Sequence, residues 1–329
     1  MRPFQYTAPR SLAEAFLALA DARPQSIRPL AGGTDLLPLM KADVEAPHVL
    51  VNLKRLQDMP RAIELDGEAV RLGALASLAD IARHPELVRR FAALAQAALS
   101  AATPQLRNMA TLGGTLLQRP RCWYYRNPHF RCWLKGGSEC NARAGQNQLH
   151  AIFDTGICRA VHPSDVACAL ALFDAEVCVQ AADRKRAVPI GAFIAPPEDA
   201  RRTETLLGPD ELVVSVHVPA PPHGQRSVYL KVMDRAAWAF ATVSVAGSMR
   251  CENDRIAAVA MVLGGVATVP WPITAHLQSV VGEAPTDAAF AAAARAALAD
   301  AEPLGMNAYK VALAQSLVRR ALRALATAA

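Results

Sequence analysis

Hydrophobic positions along the chain change period several times, and each change marks an element. Near the start, Leu12, Phe16, Leu17 and Leu19 recur at helical spacing behind Ser11 and Glu14. Ser-x-x-Glu ahead of an apolar run is a capping-box signature, so the first predicted element is a helix. A short run then rises to Leu30 and meets two glycines, Thr34, Asp35 and more leucines. Segments 48–56 and 69–77 are rich in Val and Leu and read as strands. From 77 to 102 the pattern is helical, with a break at Pro85 that predicts two pieces. Residues 162–180 predict a helix ending near Asp174 and then a strand, with Cys168 and Cys178 at core positions.

The run 213–222 reads as a strand closing on a proline-rich break. Beyond it, 226–235 and 240–253 alternate like a hairpin or meander, with Cys251 expected to be structural. Residues 255–273 add a strand and a turn, and 286–303 and 306–329 predict two amphipathic helices. The last carries Val311, Leu313, Leu317, Leu322 and Leu325 in one stripe, with Arg319, Arg320 and Arg323 outside it. Short strands mixed with helices, without regular βαβ alternation, predict an α+β chain. The expected boundary is the proline break, with one domain over 1–222 and a smaller sheet-plus-helices domain over 223–329.

Composition sharpens this only in places. Hydrophobic residues make up 52% of the 329 residues but aromatics only 5%, so alanine-rich, closely packed helices are expected. The formal charge is +6, yet the basic residues are interleaved with acids and no run of five like charges occurs. No nucleic-acid partner is expected from that pattern. No stretch of eighteen apolar residues exists, so no membrane span is expected. The first two dozen residues lack the pattern of a secretory signal, which favours a reducing compartment and disfavours disulfides among the seven cysteines.

Two stretches share one build. AGGTDLL at 31–37 and ATLGGTLL at 110–117 each set small residues, glycines and Thr ahead of an apolar run. Glycines let backbone N–H groups approach an anion closely, so a phosphate site is one reading and a plain tight turn the other. Neither stretch is GxGxxG or GxxxxGK[ST], so neither a Rossmann site nor a P-loop is indicated.

The order of AGGTDLLPLMK, QLRNMATLGGTL, Pro163-Ser164-Asp165 and KVMDRAAWAFATVSVA resembles the FAD-binding subunit of the xanthine dehydrogenase family of molybdenum hydroxylases, over essentially the whole chain. The resemblance implies a PCMH-type FAD domain followed by a flavoprotein C-terminal domain. It implies that Leu30, Ala31, Gly32, Gly33, Thr34, Asp35 and Leu36 form a first FAD turn. Arg107, Asn108, Thr111, Gly113, Gly114 and Thr115 would belong to the second, Asp165 would meet the ribityl or flavin side, and Lys231 would lie near the isoalloxazine and tune it. Thr115 stands where many relatives carry Asn.

The segment after the second turn is unusual for that family. Cys122, Cys132, Cys140 and Cys158 fall in an insert over about 118–160, dense in Arg and aromatic residues. Their spacing alone leaves the chemistry open. It lacks the close Cys pairs of most zinc sites and the tight run of ferredoxins. A disulfide would need export, and a nucleophile would need a base such as His150 or His162. The insert is similar to that of the flavin subunits of periplasmic aldehyde oxidoreductases and 4-hydroxybenzoyl-CoA reductases. That likeness implies a 4Fe–4S cluster on the four cysteines. Trp123, Tyr124, Tyr125 and Trp133 would then shield it or simply pack the loop. It further implies a large molybdenum-cofactor subunit and a small subunit with 2Fe–2S clusters as partners. Electrons would pass from these clusters through FAD to an external acceptor. The chain would be cytoplasmic, or periplasmic by folded co-export with a partner that carries the signal. Two readings compete: a zinc-binding interaction module, and a free-standing PCMH-like flavin oxidase.

Overall fold

Twelve strands in three sheets carry the chain in a computed structural model that describes residues 1–20, 26–67 and 69–327. Strands β1 (Gln5–Thr7), β2 (Ile27–Leu30) and β3 (Val49–Asn52) form a small parallel sheet in the order β1-β3-β2. Strands β4 (Ile63–Asp66), β5 (Ala69–Gly73), β6 (Glu176–Gln180), β7 (Lys185–Pro189) and β8 (Leu212–Val218) form an antiparallel sheet in the order β4-β5-β8-β6-β7. Strands β9 (Arg226–Val232), β10 (Val243–Glu252), β11 (Arg255–Gly264) and β12 (Trp271–Pro272) form a second antiparallel sheet, in the order β12-β11-β10-β9. The mixed architecture agrees with the α+β expectation.

Several local expectations need correction. The first element is strand β1, not a helix, because three residues are too few to show a period. The helix Leu12–Ala20 follows, buries Ala15, Phe16 and Leu19, and leaves Leu17 74% exposed on its outer side. Its capping box is displaced by one residue: Ser11 accepts from the Glu14 N–H, but Glu14 reaches the N–H of Arg10. The first sheet is parallel and joined through helices, a βαβ arrangement that its very short strands conceal. Strands β3 and β5 end at Asn52 and Gly73, sooner than their hydrophobic runs. Residues 78–100 form three helices rather than two, with Pro85 opening the second. Cys251 is exposed, not structural, because a bulge between Arg250 and Cys251 breaks the alternation of β10.

Three apolar cores result. The largest packs the five-stranded sheet against helices Ala92–Ser100 and Asp165–Leu172. The second packs the four-stranded sheet under helices Asp287–Ala296 and Tyr309–Thr327, where Leu317, Leu322 and Leu325 are buried. The seam between these two is close. A Cβ on Gly264 would stand 2.4 Å from Ser244 Oγ and 2.6 Å from Cys168 Sγ, so only glycine fits there. The third core lies in the insert and contains Tyr124, Tyr125, Trp133, Cys132 and Cys158.

Candidate functional site

The two glycine turns back onto one another. A Cβ on Gly32 would stand 2.0 Å from the carbonyl oxygen of Met109, so absence of a side chain there lets the turns touch. Gly33 takes φ +72°, open to glycine at no steric cost. The N–H groups of Gly32, Gly33, Thr34, Asp35 and Leu36 donate to no acceptor among the described residues. Such a row of free donors on a half-exposed turn is a ready anion site. The second turn differs. Leu112, Gly113, Gly114 and Thr115 spend their N–H groups on Ala76 O, Ala74 O, Thr111 Oγ1 and Thr111 O. Asn108 and Gly114 are exposed beside it, while Arg107 turns away to Ala101 O at 2.8 Å. The two turns look alike in sequence, but the first offers a row of free donors, whereas residues 112–115 of the second have spent theirs.

The carboxylate of Asp35 is taken up by the insert. It pairs with Arg121 at 2.8 Å and Arg126 at 2.6 Å, and accepts from the Arg119 N–H at 2.8 Å. This clamp fastens the insert to the first turn. Arg119 then pairs with Glu204 at 3.2 Å and lies over the Tyr125 ring. Leu30 and Ala31 lead into the turn, Leu36 opens the helix Leu36–Lys41, and the clamp lies behind all three.

Ser164 and Asp165 join the second turn to the C-terminal sheet. Thr115 Oγ1 lies 3.3 Å from Ser164 Oγ, and Ser164 caps the helix Asp165–Leu172. Asp165 takes the Tyr229 hydroxyl at 2.6 Å and the Lys231 ammonium at 2.7 Å. Lys231 also donates to Ser100 O at 3.3 Å. Asp165 and Lys231, chosen separately from the sequence, are therefore partners of each other, buried at the seam. Burial and the Asp165 carboxylate push the Tyr229 hydroxyl well above its ordinary value. A cavity of about 20 Å3 borders Asp165 at this seam, and a second of about 10 Å3 lies toward the insert, against Cys158 and Glu204. The larger has room for about one water and neither admits a flavin ring. His162 borders both, and burial holds its imidazole down at about 4.

The four cysteines of the insert converge in the third core. Cys132 and Cys158 are buried, and Cys122 and Cys140 half-buried. Their thiols lie in one another's fields: Cys122 in that of Cys132 and Cys140, and Cys158 in that of Cys140 and Cys122. Backbone amides lie near the sulfurs and draw their thiols down in part, those of Tyr124 and Tyr125 at Cys122, of Leu134 and Lys135 at Cys132, and of Ala160 at Cys158. Burial nonetheless pushes the Cys122 thiol up to about 12. Among the described residues, no three His, Cys, Asp or Glu side chains close on one point as a single metal ion requires. The pocket is braced by Arg202, which donates to Trp133 O at 2.8 Å and Gly137 O at 2.9 Å and stacks on the Trp133 ring.

Sequence reasoning weighed His150 and His162 only as bases for a cysteine, and the structure separates them. His150 Nε2 lies 3.2 Å from Cys122 Sγ, whereas His162 makes no hydrogen bond to a cysteine and borders with Cys158 the smaller cavity. Burial holds the His150 imidazole down at about 4. Sequence reasoning missed Lys310. It is fully buried and donates to Leu149 O, His150 O and Gly265 O, at 3.4, 2.9 and 2.5 Å. Its phase with Ala314, Leu317 and Ala321 along the last helix was the available signal.

A family model for the FAD binding domain in molybdopterin dehydrogenase matches residues 2–221. The chain belongs to that family. A model for the CO dehydrogenase flavoprotein C-terminal domain matches residues 228–325. The aldehyde oxidoreductase FAD-binding subunit of Escherichia coli is 38% identical over 96% of each chain. The carbon monoxide dehydrogenase medium chain of Hydrogenophaga pseudoflava is 29% identical over 98% of this chain and 96% of its own. A solved structure of the Hydrogenophaga carbon monoxide dehydrogenase superposes at TM-score 0.77 with 27% identity, covering 98% of this chain and 97% of that one. The chain is thus an oxidoreductase chain, the FAD-binding subunit of a molybdenum hydroxylase. No helix among the described residues is long and apolar enough to cross a membrane.

Proposed function

We propose that this chain is the electron-passing flavin subunit of a molybdenum-dependent aldehyde oxidoreductase, and that it holds a 4Fe–4S cluster beside its FAD. The observation that carries this reading is the convergence of Cys122, Cys132, Cys140 and Cys158 in one core, with backbone amides near three of the sulfurs. Four soft thiolates suit iron–sulfur, and N–H donors to sulfur offset the charge of such a cluster. When bound, FAD supplies exchange between one- and two-electron carriers and the cluster supplies one-electron steps.

The chain's own residues would divide the work. The free N–H row from Gly32 to Leu36 would hold the pyrophosphate, with Gly114 and Asn108 on the facing turn. Asp35, through Arg121 and Arg126, would keep the insert at a fixed distance from that row. The Asp165–Lys231 pair would set the charge behind the flavin site rather than present a free cation to it. A large molybdenum subunit would oxidise the aldehyde and a small 2Fe–2S subunit would feed this chain. The name of the 38% identical relative supports the aldehyde class. The domain division proposed is 1–222 and 223–329, and the compartment proposed is the cytoplasm or, by folded co-export, the periplasm.

The test is iron, labile sulfide and flavin analysis of the complex purified without oxygen, beside a Cys132→Ser variant. About eight irons and one flavin per complex are expected, about four from this chain's cluster and about four from the partner's two 2Fe–2S clusters, with about four irons but no flavin lost in the variant. Zinc in place of this chain's irons, with only the partner's iron remaining, would sink the cluster reading and leave the flavin assignment standing.

A further inference from the structure

His150 belongs to neither glycine turn and is not one of the four cysteines, yet it is among the most tightly held side chains of the insert. It is 2% exposed, and its Nε2 lies 3.2 Å from Cys122 Sγ. The ring is wedged edge-on against Trp123, with centroids 4.9 Å apart, and lies beside Tyr124. Its backbone is fixed as well. The His150 carbonyl accepts from Asn307 Nδ2 at 3.1 Å and Lys310 Nζ at 2.9 Å, and its N–H donates to Asn147 O at 3.0 Å. The ring has no room to swing away from the sulfur.

The position of its proton follows from the partners. A neutral imidazole carries one N–H. Nδ1 is buried and makes no hydrogen bond of acceptable geometry, the nearby Asn147 carbonyl included. A cysteine sulfur that ligates iron carries no proton, so the 3.2 Å contact there is a hydrogen bond only with the imidazole proton on Nε2, aimed at Cys122. Backbone amides of Tyr124 and Tyr125 lie near the same sulfur. Cys122 is thus the cysteine that receives a side-chain donor in addition to backbone donors.

We propose that His150 donates a hydrogen bond from Nε2 to the Cys122 sulfur and so raises the reduction potential of the iron–sulfur cluster held there, making it a tuning residue rather than a ligand. The inference rests on the four-cysteine reading above. Donors to a ligating sulfur stabilise the more electron-rich, reduced cluster, so their removal makes reduction harder. One charge-assisted bond corresponds to about a tenfold change in the reduction equilibrium, which is 59 mV for one electron.

The experiment is a spectroelectrochemical titration of the cluster in the complete complex, for the parent, His150→Phe and His150→Gln. The Phe variant should titrate about 59 mV lower, a tenfold loss. The Gln variant keeps an N–H donor and should return most of the shift. In parallel, pulsed electron paramagnetic resonance of the reduced parent, grown with isotopically labelled histidine, should show one weakly coupled imidazole nitrogen. That measurement decides the matter if His150→Phe fails to load iron. An unchanged potential in His150→Phe, or no histidine coupling in the parent, overturns the proposal. A parent complex that holds only the iron of the partner's 2Fe–2S clusters overturns the four-cysteine reading itself, a result the iron assay separates from the other two.

Discussion

Lys231 and Asp165 offer the sharpest test of how the two large cores are joined. Their side chains are 3% and 5% exposed, and their charged atoms are 2.7 Å apart. The second carboxylate oxygen of Asp165 takes the Tyr229 hydroxyl, and Lys231 has one further acceptor in Ser100 O. Replacing Lys231 with Met leaves a buried carboxylate with only the hydroxyl to answer it. Breaking such a pair from one side costs about 3–5 kcal/mol, because the remaining charge stays desolvated. Asp165→Asn should cost a similar amount by stranding the ammonium. The double variant Asp165→Asn/Lys231→Met strands neither charge, so its loss should fall short of the sum by on the order of 1–3 kcal/mol. Calorimetric unfolding of the purified chain with flavin bound would read these as midpoint drops on the order of 10 °C for each single variant, with the drop of the double smaller than the two added together. Flavin content is measured in the same samples. If the single effects simply add, the two groups are not coupled and the seam argument is wrong. If Lys231→Met sheds flavin but keeps its midpoint, the lysine serves the cofactor and not the seam.

Three further outcomes follow from other parts of the structure. Gly32→Ala drives a Cβ into the Met109 carbonyl, so the glycine turns must part; flavin retention should collapse, while Gly113→Ala, whose Cβ meets Ala74 Cβ at 3.3 Å, should keep most of it. Equal flavin content in the two variants would contradict the shared wall. Asp35→Asn should loosen the insert from the first turn, read as faster proteolysis within 119–160, and unchanged cleavage would argue against the clamp. Burial draws the Lys310 ammonium down to about 7, although three carbonyls accept from it and resist that fall. The folded value lies below the unfolded one of about 10.4, so the unfolded chain binds more protons between them and stability gains as pH rises from about 7 to about 10. Thermal midpoints measured across that range should show the gain in the parent and not in Lys310→Met; parallel curves would refute it.

Much of the site was legible because its signals are local. Glycine turns, a Ser cap ahead of Asp165 and four cysteines in one segment are visible without knowing the fold. What the sequence withheld was pairing. Asp165 and Lys231 stand 66 positions apart and read as two separate cofactor contacts, since nothing in a linear pattern says that one neutralises the other. Asp35 looked like part of the phosphate turn, yet its carboxylate serves the arginines of the insert. The two Gly-Gly turns look equivalent, but Thr111 and the Ala74–Ala76 carbonyls absorb the donors of the second. The small parallel sheet was hidden because strands of three and four residues do not establish a period.

The buried ammonium of Lys310 also constrains the order of events during folding. It closes carbonyls at 149–150 and at 265 from a helix that begins at Tyr309. The contact with His150 spans 160 positions, among the longest loops in the molecule. Contacts of such separation form late, since the closure entropy must be met before they contribute. The cysteine-bearing segment lies in the first half of the chain, yet it cannot reach its final form until the last helix has been made and docked. In a nascent chain the carbonyls of Leu149 and His150, near the end of that segment, stay without their ammonium donor until the C-terminal helix has been made.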